Sequence, residues 1–98
     1  MRGGYVTVAA DSVILTSGKP VRLYGSSITS GGTPGVVVYR DGTSASGTSV
    51  FSAVGTANLN SLVANIPAHG VYFPNGLFVD MDANVTAVTV CVEQISIS

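Results

Sequence analysis

Few residues of this 98-residue chain have the chemistry a catalytic or metal site needs. His69 is the only histidine and Cys91 the only cysteine. His69 could work with Asp80 or Asp82 and one of many serines, but no Gly-x-Ser-x-Gly elbow accompanies them. A turn residue between Pro67-Ala68 and Gly70 is the stronger reading. Asp80-Met81-Asp82 sets two carboxylates on one side of a strand if the strand continues, with Asn84 close behind. A dedicated calcium site gathers about 6–8 oxygens, usually from an Asp-x-Asp-x-Asp-Gly loop that is missing here. Solubilising a strand end is the commoner job of such a pair. Cys91 alone forms neither a structural zinc site nor a disulfide, and without a nearby histidine it is a poor nucleophile.

Other short patterns are equally bland. Gly31-Gly32-Thr33-Pro34-Gly35 has no P-loop lysine and no following helix, so it reads as a turn rather than a phosphate cradle. Asn84-Val85-Thr86 matches a glycosylation sequon, a match that chance often supplies. Tyr5, Tyr24, Tyr39 and Tyr72, with Phe51, Phe73 and Phe78, could include a sugar-stacking platform. At strand spacing, aromatics more often serve core or interface. The residues thus define no catalytic, cofactor-binding or metal site, and the chain is expected to be no enzyme.

The elements holding these residues read as strands. Short runs rich in Val, Ile and Tyr alternate with clusters of Gly, Ser, Thr, Asn and Asp, and helix signals are nearly absent. Strands are expected at Tyr5–Ala9, Val13–Thr16, Val21–Ile28, Gly35–Arg40, Thr48–Val54, Val63–Ile66, Gly70–Phe73, Leu77–Met81 and Val85–Glu93. Val63–Ile66 is ambiguous, because Leu59, Leu62, Val63 and Ile66 also sit at helical spacing. Asp41-Gly42 and Asn75-Gly76 read as tight hairpin turns, while Ser26 to Gly35 and Asp41 to Gly47 read as exposed loops. Val88, Val90 and Val92 share one strand face and Thr89, Cys91 and Glu93 the other, so Cys91 belongs to the more polar side. Ile95 and Ile97 fall out of phase with those valines: either a bulge returns them to their own sheet or the tail serves a neighbouring chain.

This spacing predicts an all-β chain, an antiparallel β-sandwich or jelly-roll-like single domain over residues 1–98. Composition narrows its work. The sequence is 46% hydrophobic and only 9% charged, with a net charge of -1, whereas soluble domains carry roughly 25% charged residues. On the order of 5,200 Å² of surface must then be covered largely by Ser, Thr, Asn and apolar atoms. Such a surface suits a chain covered by neighbours, although a Ser/Thr-coated monomer is the alternative. Four scattered basic residues form no stripe for nucleic acid, and no membrane-binding helix is evident. No run approaches the roughly 20 apolar residues of a membrane span, and Met1 to Tyr5 lead into no signal-peptide core.

Two stretches carry a resemblance. The first is Lys19-Pro20-Val21-Arg22-Leu23-Tyr24-Gly25 followed by Gly35-Val36-Val37-Val38-Tyr39-Arg40-Asp41-Gly42-Thr43. The second runs from Ile66-Pro67-Ala68-His69-Gly70 through Val71-Tyr72-Phe73-Pro74-Asn75-Gly76 to Leu77-Phe78-Val79. Together they resemble small bacteriophage virion structural proteins of the capsid decoration, or cement, type. The resemblance implies a β-sandwich that clamps the major capsid protein and its own copies, with a trimer favoured, in a virion assembled in the host cytoplasm. It carries over no catalytic or cofactor residue. A carbohydrate-binding module or a tail or fibre adhesin component, with tyrosines stacked on sugar, is the alternative.

Overall fold

The computed structural model describes residues 2–14, 20–63 and 66–94. These form nine strands and no helix: β1 (Arg2–Val8), β2 (Ser12–Ile14), β3 (Val21–Ser30), β4 (Val36–Asp41), β5 (Thr48–Val54), β6 (Asn60–Leu62), β7 (Val71–Phe73), β8 (Leu77–Met81) and β9 (Val85–Gln94). Every pairing is antiparallel. One sheet runs β1-β9-β3-β6, with β7 also on the open side of β3, and the other runs β2-β8-β4-β5. The all-β sandwich expected from the strand spacing is therefore the fold.

Alternation explains what the sheets hide. Val88, Val90 and Val92 of β9 are buried, whereas Thr89, Cys91 and Glu93 are partly exposed. From the facing sheet come Val37 and Tyr39 of β4 and Leu77 and Val79 of β8, all fully buried. Tyr39 lies flat on Phe51 with ring centroids 4.4 Å apart. Its hydroxyl shares a buried 2.6 Å hydrogen bond with Ser26 Oγ across the two sheets, which satisfies both polar groups inside the core.

That bond depends on a change of phase within β3. Leu23 pairs with Val92 but Gly25 pairs with Cys91, leaving Tyr24 as an extra residue. Such a bulge reverses the side-chain alternation beyond it. Val21 and Leu23 point inward before the bulge; Ser26, Ile28 and Ser30 do so after it. Val50 forms a second bulge in β5, since Tyr39 pairs with Phe51 and Arg40 with Ser49.

Four expectations need correction. The strand expected at Val63–Ile66 lies earlier, at Asn60–Leu62, because Ser27 to Thr29 of β3 offer it a ladder there; residues 64 and 65 lie outside the described set. Ser26 to Ser30 are strand rather than loop, since Val90 to Val85 extend the ladder to that point, and the link is confined to residues 31–35. Asp41-Gly42 opens the expected β4–β5 hairpin with Gly42 at φ 144°, but the turn is not tight, for residues 42–47 join the strands and Gly42 N donates to Gly76 O at 3.0 Å. Asn75-Gly76 is a turn, with Gly76 at φ 107°, but it is not a hairpin. It is a corner: β7 pairs in one sheet and β8 in the other. The expectation for Ile95 and Ile97 falls on residues outside the described set.

Candidate docking surface

The residues singled out for chemistry are dispersed and individually employed. His69 is exposed in the turn at 68–69, and its carbonyl accepts a bond from Arg22 Nη1 at 3.2 Å. Asp80 pairs with Arg40 Nε at 2.9 Å, and Arg40 Nη1 also reaches Gly47 O. Asp82 stands past the end of β8, where one carboxylate oxygen accepts from Val36 N and the other from Asn84 N, both at 2.9 Å. The two aspartates thus separate into an ion pair and a turn cap. Among the described residues, no three His, Cys, Asp or Glu side chains are grouped to hold a metal ion.

The remaining candidates have structural roles too. Gly31 N donates to Asn84 O, and Gly35 N to the buried Ser30 hydroxyl. Within the sequon, Thr86 Oγ1 donates to Thr29 O at 3.0 Å. Cys91 lies partly exposed on the outer face of the first sheet, opposite Tyr5 in β1 and Gly25 in β3. Tyr39 belongs to the core, whereas Tyr5, Tyr24 and Tyr72 are exposed. Arg22 sits over the Tyr72 ring, 5.3 Å from its centroid.

That outer face holds a shallow groove of about 340 Å³ between Tyr5 and Tyr24 on one side and Leu62, Val63 and Ile66 on the other. Tyr24, the extra residue of the bulge, follows the inward Leu23 and rims the groove from the outer face. Its hydroxyl donates to Glu93 Oε1 at 3.3 Å. Partial desolvation first, and the nearby Glu93 charge second, hold this phenol above its ordinary titration range.

A larger feature lies along one flank. No Asp, Glu, Lys or Arg stands between Asp41 and Asp80, and this interval contains β5, β6 and β7. β5 is an outer strand of one sheet, while β6 and β7 occupy the open side of β3 in the other. The Ser26–Tyr39 bond sets β3 across from β4, and only residues 55–59 link β5 to β6, so these edges form a single side of the sandwich. The link is pinned by Gly55 N to Gly35 O at 2.8 Å and Asn58 N to Gly31 O at 2.7 Å. At Gly55 a Cβ would approach Ser30 Oγ to 2.6 Å and Ile28 Cγ2 to 2.7 Å, so the close crossing requires glycine.

With the link held in, the apolar side chains on it and on the strands it joins are held out. Val54 is 64% exposed, Leu59 58% and Leu62 82%, and Val50 is also exposed. This apolar strip of β5 and β6 carries no charged side chain of its own, the Arg22 guanidinium lying over Tyr72 of β7, and is suited to burial against another surface. The charge deficit is visible in the sequence; its concentration on one flank becomes visible only when β5 and β6 are known to be edge strands.

Fold and surface together define an antiparallel β-sandwich with an uncharged apolar flank. No protein-family model, curated protein or solved structure matches the chain.

Proposed function

We propose that this protein is a non-enzymatic structural component that works by docking its uncharged flank against copies of itself and a partner. The observation that carries this reading is the exposure of Val54, Leu59 and Leu62 within an interval lacking any charged side chain. Burying them recovers hydrophobic free energy of roughly 25 cal/mol per Å² before the costs of association are met. The sequence resemblance supplies the setting. A capsid decoration protein would bind the major capsid protein, occupy a virion and stabilise the assembled shell by binding it in preference to its free subunits; the expectation of a trimer rests on that resemblance alone.

Sedimentation of the purified protein tests the docking reading, with concentration-dependent self-association expected. A strict monomer at high micromolar concentration that also binds no capsid shell would exclude it. The groove between Tyr5 and Tyr24 favours a second reading, carbohydrate binding, since tyrosine rings stack on sugar faces. Glycan-array binding that is lost in Tyr5→Ala and Tyr24→Ala would establish that reading instead.

A further inference from the structure

We propose that β5 is the self-association edge, pairing antiparallel with β5 of a second copy about a two-fold axis at Ser52. The proposal rests on the docking function above and names which surface performs it.

Among the described residues, the two sheets offer four kinds of edge. β2, β6 and β7 are three residues long, too short to template much pairing. β1 has seven residues, but it begins Arg2-Gly3-Gly4, with a charged residue at its start and Gly4 at φ 130°. β5 also has seven residues, Thr48-Ser49-Val50-Phe51-Ser52-Ala53-Val54, with no charge, proline or glycine. Charges and prolines are the usual guards of an open edge. This one has none.

The direction of its backbone groups follows from the ladder. Val36 O accepts from Asp82 N, and Val36 N donates to the Asp82 carboxylate, so Val36 faces the β8 side of β4. Alternation then turns Val37 and Tyr39 toward β5, where their partners are Ala53 and Phe51. Ser52, between those two, directs its N–H and C=O to the open side. In a two-fold pairing centred there, Ser52 of each copy would exchange both backbone hydrogen bonds with the other.

The same register matches like surfaces. It sets Phe51 opposite Ala53 of the partner subunit, both of them half-buried residues at the lip of the core, and exposed Val54 opposite Val50 of the partner subunit. Antiparallel self-pairing of an uncharged strand places no like charges together. The product is a continuous eight-stranded sheet. Because a two-fold contact closes on itself, it gives a dimer, and a threefold assembly would need another surface.

Charge reversal at the axis tests this. Ser52 is exposed, so Ser52→Lys and Ser52→Glu are made singly, with circular dichroism confirming β structure. The wild type is expected to sediment as a dimer. Each variant alone, with like charges directly opposed, should self-associate about fivefold more weakly or worse, and an equimolar mixture should recover dimers of mixed composition. Recovery on mixing is an effect that damage to the fold cannot produce. Variants that associate as the wild type does, mixing that restores nothing, or a trimer indifferent to position 52 would overturn the β5 edge while leaving the docking function standing. A strictly monomeric wild type would overturn this edge even if the protein still bound a capsid.

Discussion

Asp41 and Asn75 clasp each other with two hydrogen bonds: Asn75 N donates to Asp41 Oδ1 at 2.8 Å and Asn75 Nδ2 to Oδ2 at 3.0 Å. The two Asx-Gly turns, far apart in sequence, are thereby locked together, with Gly42 N on Gly76 O completing the clasp. Asn75→Ala removes one of the carboxylate's bonds; Asp41→Ala removes both and leaves a backbone N–H to water. Denaturant unfolding should show Asp41→Ala costing about 1–3 kcal/mol and Asn75→Ala roughly half as much. Equal costs would mean that the side-chain amide carries the whole interaction.

At Gly42, φ is 144° and a Cβ would meet Gly47 Cα at 3.2 Å. A β-branched residue fits neither condition. Gly42→Val should therefore destabilise the fold by roughly 1–2 kcal/mol. A thermal midpoint identical to that of the wild type would contradict the backbone geometry at this turn.

Inside the core, Tyr39 and Ser26 satisfy each other, so removing either hydroxyl leaves its partner unpaired. Tyr39→Phe and Ser26→Ala should each cost about 1–2 kcal/mol, and the double variant less than their sum. Burial pushes the Tyr39 phenol above its ordinary 10.0, with the Ser26 bond a smaller opposing influence. A raised folded-state value means that the folded chain holds its proton more tightly than the unfolded chain. This contribution is full below pH 10 and declines as pH rises through the folded value. Tyr39→Phe should accordingly lose less stability on going from neutral to strongly alkaline pH than the wild type does.

Leu59 and Leu62 protrude from the uncharged flank, and lysine at either site should alter the isolated fold by no more than about 0.5 kcal/mol. A docking surface should respond differently. Leu62→Lys and Leu59→Lys are expected to reduce self-association or shell binding in sedimentation assays without a change in thermal midpoint. Unchanged association in the double variant would remove these leucines from the interface.

Strand positions were legible where alternation or β-branched runs were strong. Val88, Val90 and Val92 announced an inward face, and Thr48–Val54 and Leu77–Met81 coincide with β5 and β8. The bulge at Tyr24 was not legible: Val21 and Leu23 suggest one inward phase and Ile28 the other, and only the opposing register at Val92 and Cys91 shows where the switch falls. Nor did Asn75-Gly76 show whether it joins neighbouring strands or crosses between sheets. A turn motif specifies local dihedrals, whereas the choice of sheet is made by distant partners. The flank was hidden for the same reason, because membership of an edge belongs to topology rather than to any segment.

The position of β9 between β1 and β3 has a kinetic consequence. β9 is the last of the described strands in sequence, yet both of its neighbours come from the first third of the chain. The first sheet's central ladders can form only after long loops close, and that entropy must be lost before hydrogen bonds and valine packing return it. Local hairpin formation at β4 and β5 cannot substitute, since it belongs to the other sheet. Refolding is thus expected in the millisecond-to-second range typical of non-local β topologies, with Val37, Tyr39, Leu77 and Val79 of the second sheet left uncovered while the first sheet is still open.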